Sequence, residues 1–492
     1  MSEISDFGQI LLILAGGFSL ALLTIRLTTR FAVPAPALFL LGAAVISDLF
    51  PDLQENVSIR TVERIAVVAL IVILFQGGMH IGPRRFRGSA LPIVLLGTVG
   101  TFATAAIMTV AARLLLDVDW TTAGIIGAAL APTDPAVTFS VLGQREVVGR
   151  TGTILEGESG MNDPVGIALM IGVVELANEA DASFWIVVEE FVVEMSVGLV
   201  VGLAGGGLLI PVMRRLSLPS EGLYPLRTLA AAGLIYGAAS IAHGSGFLAV
   251  FVAGVLIGDA RAPFKAEIQR FHGALASLAE IAVFVALGIT LDVTDVVTSS
   301  TLWEGIALGV VLAFVARPLA VAPLLARTRL RRGERIFLLW GGLKGAVPIL
   351  LGALAVLSNV DSARRIYELV FVVVGFSVLV QASTIPLAAR RLGVRMRARR
   401  PEPWRLSIDL PEQPADLHRH RVRKGSYAAG RTIKELPLGE YGWIVTIVRD
   451  GKVVRPGGSS VLQPGDEVVV SSELDDAWSV RRLFEGSSPP AT

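Results

Sequence analysis

Asp134 and Asp163 each stand beside a proline inside an apolar run long enough to cross a bilayer. Their settings are Ala131-Pro132-Thr133-Asp134-Pro135-Ala136 and Glu158-Ser159-Gly160-Met161-Asn162-Asp163-Pro164. An ionised side chain at membrane depth costs on the order of 3 kcal/mol by insertion scales. Carboxylates kept there point to work on a charge, either a cation or a proton. Two bases occupy a similar depth, Arg317 in Ala316-Arg317-Pro318 and Lys344 in the Trp340–Pro348 stretch, and Glu158 lies five residues before Asp163. Acids and bases at one level of a membrane must largely pair with one another.

The residue types suggest a division of labour. Asp163 is the expected carrier, because a carboxylate withdrawn from water holds either a proton or a cation, and the two compete. The alternative is a salt bridge from Asp163 to Arg317 or Lys344. Asp134, with the Thr133 and Ser159 oxygens, offers a hard-oxygen cage for a monovalent cation. Those two hydroxyls can instead bond back to their own helices. Asn162 adds a neutral amide dipole, and Glu158 with Arg317 reads as a structural ion pair. Lys344 is one of only five lysines among 43 basic residues. In an unwound helix it would neutralise exposed carbonyl dipoles, or pair with Asp134 when the ion leaves. Gln76, in Leu74-Phe75-Gln76-Gly77-Gly78, supplies a further side-chain oxygen or packs in the core. Glu175, Glu194 and Glu280 are pore or interface acids without a motif. His80, His243 and His272 fall near helix ends, where an interfacial position is expected.

These residues need membrane helices to hold them. The 492-residue chain is 53% hydrophobic, with a mean hydropathy of +0.66. Apolar runs place thirteen spans near 7–25, 33–49, 62–79, 90–115, 121–142, 153–177, 185–213, 225–243, 246–260, 271–290, 302–326, 335–357 and 365–390. Arginines and lysines gather after the odd-numbered spans: Arg26 and Arg30, then Arg84, Arg85 and Arg87, and so on to Arg390 through Arg400. Only Arg60, Arg64, Arg364 and Arg365 break the alternation. The positive-inside rule then sets the amino terminus outside and the carboxyl terminus in the cytoplasm of a cell (inner) membrane. The amino terminus lacks the basic region of a cleavable signal, so the first span is expected to be retained.

Thirteen is six, one and six, and the odd central helix inverts the second half relative to the first. The fifth helix of each half carries a glycine/proline interruption around a charge, Asp134 in one and Lys344 in the other. Matched interruptions of this kind are a pointer to a midplane substrate site. The expected fold is an all-α polytopic membrane protein over residues 1–400, followed by a small cytoplasmic α+β domain at 401–486 and a disordered tail at 487–492. In that domain Trp443–Val448, Arg449-Asp450-Gly451-Lys452 and Val453-Val454 read as a hairpin with an Asp-Gly turn. Asp466–Val470 reads as a strand and Asp475–Phe484 as a closing helix.

Several classes drop out. There is no cysteine, hence no disulfide or thiolate chemistry, and the five histidines have no metal-ligand spacing. No Gly-x-Gly-x-x-Gly occurs and no cofactor is implied; the net charge of +1 argues neither for nor against nucleic acid, but the bases are grouped in short loops, a membrane-topology pattern rather than a nucleic-acid-binding face. An enzyme is not expected. A potassium channel gated by the cytoplasmic domain is the rival of another class, but the chain lacks a Thr-Val-Gly-Tyr-Gly-like filter. A receptor with purely structural buried charges is a third reading.

Taken together, Thr133-Asp134-Pro135, Glu158-Ser159…Asn162-Asp163-Pro164, Ala316-Arg317-Pro318 and Trp340-Gly341-Gly342-Leu343-Lys344-Gly345-Ala346-Val347-Pro348 resemble the cation:proton antiporter-1 family over residues 7–390. The resemblance implies a homodimer in the lipid bilayer, crossed unwound helices in a moving core domain, and elevator-type exchange. Its asparagine-aspartate pair implies one cation for one proton. Many relatives carry an acid at the position of Gln76 and an arginine at that of Lys344. Residues Gly425–Asp466 resemble a TrkA-C-like domain, which implies regulation, with a small-molecule ligand as a candidate partner. The combination is similar to potassium/proton antiporters implicated in cell-volume regulation, so K+ efflux with H+ uptake is expected, and Na+/H+ exchange is the alternative.

Overall fold

The computed structural model describes residues 34–49, 57–142, 145–178, 184–398, 417–438, 442–449, 452–472 and 477–486. The chain divides into two compact units, residues 1–400 and 401–492. The first predicted span, with Arg26 and Arg30, and the tail at 487–492 lie outside the described residues.

The first unit is helical. It runs α1 (Ala35–Leu49), α2 (Ile59–Leu95), α3 (Thr101–Leu116), α4 (Trp120–Leu130), α5 (Pro135–Leu142), α6 (Arg150–Asn178), α7 (Phe184–Arg215), α8 (Leu223–Ile241), α9 (Gly246–Gly258) and α10 (Lys265–Ile289). A short α11 (Val293–Thr298) leads to α12 (Thr301–Val311), α13 (Arg317–Ala326), α14 (Arg332–Trp340), α15 (Ala346–Leu357), α16 (Ala363–Phe376) and α17 (Ile385–Arg391). Six helical stretches among the described residues are long and apolar enough to cross a membrane, Ile59–Leu116 and Arg150–Asn178 among them. Large apolar side chains of α7, including Val192, Val200, Leu203 and Leu208, are exposed. Outside a bilayer or a partner surface such a face would be costly.

The third and fourth predicted spans meet at a kink over Gly82–Ser89, where the backbone leaves helical geometry. Helix α2 turns at Gly82 (φ +66°) and Ser89, and continues through a π-helical turn at Leu96–Gly100 into α3. Pro83 and Pro92 cannot donate to the preceding turn, and Gly82 and Ser89 leave helical geometry, so two helical segments meet at this kink. The Arg84 backbone N–H is taken up by Asp259 Oδ2 at 2.9 Å. Close approach of α2 and α9 depends on small residues. A Cβ on Gly78 would strike the Phe251 carbonyl, and one on Gly254 would strike that of Phe75.

One large apolar core runs through α1, α2, α4, α6, α9, α10, α15 and α16, and two smaller ones lie beside it. Phe75, Met213, Ala253, Ile257 and Ile268 tie the first half of α2 to α7, α9 and α10. Leu96, Ile154, Leu155, Val321 and Leu338 tie α6 to α13 and α14. A two-stranded antiparallel sheet, not anticipated from sequence, joins β1 (Arg145–Val147) to β2 (Met396–Ala398), with Arg397 bonded to Glu146 at 2.5 and 2.9 Å.

The second unit holds an antiparallel sheet in the order β3 (Leu417–Arg421), β6 (Glu467–Ser472), β4 (Gly442–Arg449), β5 (Lys452–Val454). Helix α18 (Ala477–Glu485) supplies Leu483 and Phe484 to a core with Val422, Ile447, Leu462, Val468 and Val470. Arg449 stands opposite Lys452 in the β4–β5 ladder, and the turn pair Asp450-Gly451 lies outside the described residues. Arg449 clamps the buried Asp466 with bonds of 2.9 and 2.8 Å.

Candidate cation and proton site

Two helices are broken and meet at the break. Prolines at 132 and 135 remove backbone donors; Ala131 keeps helical backbone angles as the cap of α4, and residues 132–134 are irregular before α5 begins. Residues 341–345 are irregular between α14 and α15, where glycine permits what a side chain would not. A Cβ on Gly345 would overlap Asp134 Oδ2, and one on Gly342 would overlap the Arg317 guanidinium.

Irregular backbone survives in a membrane protein only when its polar groups are met from within. Here the two breaks satisfy each other and recruit neighbours. The Asp134 N–H donates to the Leu343 carbonyl at 2.8 Å, and the Lys344 N–H donates to Ser377 Oγ at 2.9 Å. Gln381 Nε2 caps the Trp340 carbonyl at 2.7 Å, and Thr138 Oγ1 caps that of Gly341 at 3.1 Å. Lys344 Nζ donates to the carbonyls of Ala131 and Pro132 at 2.9 and 2.7 Å. Those carbonyls form the negative end of α4, where a cation is favoured. Neither Lys344 nor Arg317 forms an ion pair with Asp163 among the described contacts.

Helix α6 packs across the break and carries four of the predicted residues. Asn162 Nδ2 donates to Thr133 Oγ1 at 2.7 Å, and its Oδ1 accepts from the Thr133 N–H at 3.3 Å. The amide is therefore spent on holding the break in place. Glu158 accepts from Arg317 at 2.6 Å, and Arg317 also reaches the Leu338 carbonyl at 3.3 Å. Asp163 is 5% exposed, and its Oδ1 has no hydrogen-bond partner.

A cavity of about 860 Å³ reaches this point. Its lining includes Asp134, Ser159, Asp163, Gln76 and Glu280, and farther along α2, α6 and β2 it includes Arg84, Arg85, Glu156, Arg150 and Arg397. Along α6 the lining runs from Asp163 back to Arg150, about 20 Å at the rise of an α-helix. Thr133, Asn162, Glu158, Arg317 and Lys344 are not in the lining. The geometry thus sorts the predicted residues into oxygens that face the cavity and a buried frame that fixes the crossing.

Sequence reasoning read Glu280 only as a pore or interface acid without a motif, and the cavity lining includes it. Ser377 and Gln381, which cap the second break, gave no signal. The expectation for His272 is corrected. It is fully buried and bonded through Nε2 to Thr228 Oγ1 at 2.8 Å, because α10 turns that face toward α8 and Phe75.

Broken helices that meet inside a polytopic bundle, with carboxylates at the junction and a cavity leading to them, define a secondary transporter. The family resolves further. Residues 13–391 match the family model for the transmembrane sodium/hydrogen exchangers, and the chain belongs to that family. Residues 417–485 match the TrkA-C domain. The K(+)/H(+) antiporter NhaP2 of Shewanella sp. (strain MR-4) is 29% identical over 472 residues, 94% of this chain and 81% of that protein. The Na(+)/H(+) antiporter NhaH of Halobacillus aidingensis is 27% identical over 411 residues, 79% of this chain and 98% of that protein. The fold is similar to that of the sodium proton antiporter MjNhaP1 from Methanocaldococcus jannaschii at pH 8. That match has a TM-score of 0.66 at 23% identity and covers 78% of this chain and 100% of that one.

Proposed function

We propose that this protein exchanges a monovalent cation, potassium first, for a proton, with Asp163 as the group that carries either one. The observation that carries this reading is the buried Asp163 Oδ1, without a partner at the end of the cavity. An unpaired carboxylate in an apolar setting is costly. A bound cation or proton removes that cost, and only one of them fits at a time. Asp134 and Ser159 supply further oxygens from the same wall. Lys344, Arg317, Glu158 and the Asn162–Thr133 bonds hold the broken helices so that these oxygens keep their spacing.

Potassium is favoured by the names of relatives matched along most of the chain, together with the TrkA-C domain. Sodium is the alternative, after the Halobacillus relative. The arginine-rich mouth, with Arg84, Arg85 and Arg150, is assigned to the cytoplasm by the positive-inside rule. A proton bound from outside then drives release of potassium carried outward, one for one. A core bundle that moves against a fixed one within a homodimer is what the family resemblance implies for this chain. The cytoplasmic TrkA-C domain would bias that equilibrium when it binds a small ligand.

Purified protein in liposomes with an internal pH dye provides the test. Potassium and sodium are added in separate runs to wild type and Asp163→Asn. Proton movement on potassium addition, lost in the variant, is the expected result. A response to sodium alone would keep the mechanism and change the cargo. Potassium flux without proton movement would support a channel instead.

A further inference from the structure

The arginine-rich mouth of the cavity is walled in part by β1 and β2. Strand β1 lies in the loop between α5, which follows Asp134, and α6, which carries Asp163. Strand β2 is the last described element of the first unit, and from it the chain runs on into the TrkA-C unit. The two strands pair with Glu146 opposite Arg397 and Val147 opposite Met396, and the Val148 N–H donates to the Arg395 carbonyl at 3.1 Å. Strand β1 is seated closely on α6, since a Cβ on Gly152 would overlap the Val147 carbonyl. The hold on β2 is weaker. Its ladder spans three residues, and a two-stranded ribbon is marginal in water. Its ion pair is open to solvent, with Arg397 66% and Glu146 29% exposed, and such a pair contributes little to stability.

The charges at this mouth run against the entry of a cation. Arg84, Arg85, Arg150 and Arg397 line it, against Glu146 and Glu156. Arg397 donates to Glu146 Oε1 at 2.5 and 2.9 Å, and Glu156 Oε2 lies 3.1 Å from His80 Nδ1. A positive mouth lowers the local cation concentration, and an open carboxylate there raises it. Of the four arginines only Arg397 comes from β2. Release of that strand therefore withdraws one positive charge and uncovers one negative charge in a single step. We propose that β2 is a detachable strap: docked, its Arg397 neutralises Glu146 and holds back cation entry, and released, it leaves Glu146 to draw the cation toward Asp163. The strap deepens the exchange reading above and rests on it. Because β2 leads into the TrkA-C unit, a pull on the chain from that unit reaches the mouth without passing through the membrane helices.

Everted membrane vesicles from cells without other cation/proton antiporters present the cytoplasmic face of the full-length protein to added potassium. The half-saturating potassium concentration is read from proton movement in low and in high choline chloride. At low salt Arg397→Gln should lower it about threefold and Glu146→Gln should raise it about threefold, and both shifts should shrink at high salt, where charges are screened within a few ångströms. A purely structural pair would move both variants the same way. Shifts of the same sign, or no shift, overturn the proposal. The chain has no cysteine, so Val147→Cys/Met396→Cys can lock the strap with Glu146 and Arg397 in place. Opposed residues of an antiparallel ladder are spaced for a disulfide. Oxidation should raise the half-saturating concentration, and reduction should restore it. An unchanged value shows that β2 does not detach, and failure of the pair to cross-link shows that it does not dock; either overturns the strap. Failure of the exchange reading looks different, since Asp163→Asn would then exchange as the wild type does.

Discussion

The Glu158–Arg317 pair shows how a buried residue is judged by what its loss leaves behind. Both side chains are almost fully buried and meet at 2.6 Å. Removing one partner strands the other in a dry interior, at a cost of about 3–5 kcal/mol for a buried pair, whereas removing both costs much less. Arg317→Met is therefore expected to lower the thermal unfolding temperature in detergent sharply, and Glu158→Gln/Arg317→Met to recover a large part of the loss. Equal temperatures for the single and double variants would show that the pair carries no such energy. Glu158, Arg317 and Asp163 were legible from sequence because charge inside an apolar run is conspicuous. Glu280 was equally conspicuous as a charge, but the cavity it lines is built from helices distant in the chain. Spacing could not assign it a role.

At the scale of elements, the two breaks act as one joint. The Asp134 N–H bonds to the Leu343 carbonyl, and Lys344 caps the end of α4. Neither segment has a satisfied backbone without the other. Contact between the breaks leaves no room at Gly345, and the Arg317 guanidinium leaves none at Gly342. Gly345→Ala forces Asp134 aside and is expected to cut exchange at least tenfold, while Gly375→Ala, with open space around the added methyl, should leave it within twofold. Proton flux in liposomes at matched protein content decides this, and equal rates for the two variants would sink the joint. Proline and glycine announced both interruptions in the sequence. That they bond to each other is a tertiary fact, outside the reach of a local pattern. The β1–β2 sheet was illegible for a related reason. Strands of three residues have no periodicity, and these pair across some 250 positions.

At the scale of the whole molecule, the change of composition near Arg400 marks where apolar helices give way to a polar unit with its own core. That unit contains a group able to register acid pH. His420 on β3 is 7% exposed and stacks on Phe484 of α18 with ring centroids 5.5 Å apart. Burial pushes its imidazole below the ordinary value. His418 on the same strand and Arg481 on α18 push the same way, while Glu485, paired with Arg423 and Arg481, opposes them. The folded unit therefore holds His420 neutral. As pH falls through about 6.5, the unfolded chain takes up a proton that the folded one refuses, and stability is lost on the acid side. For Asp466, burial alone would raise the carboxyl, but the Arg449 bonds outweigh it and hold it below its usual range, so its charge does not change in this window. Hydrogen exchange of β3 and β6 in the full-length protein, corrected for intrinsic rates, should show less protection at pH 5.5 than at pH 7.5. His420→Phe keeps the stacked ring and removes the titration, so its protection should be nearly equal at the two values. Equal protection in the wild type would remove His420 as the cause, and a persisting difference in the variant would move the cause to another group.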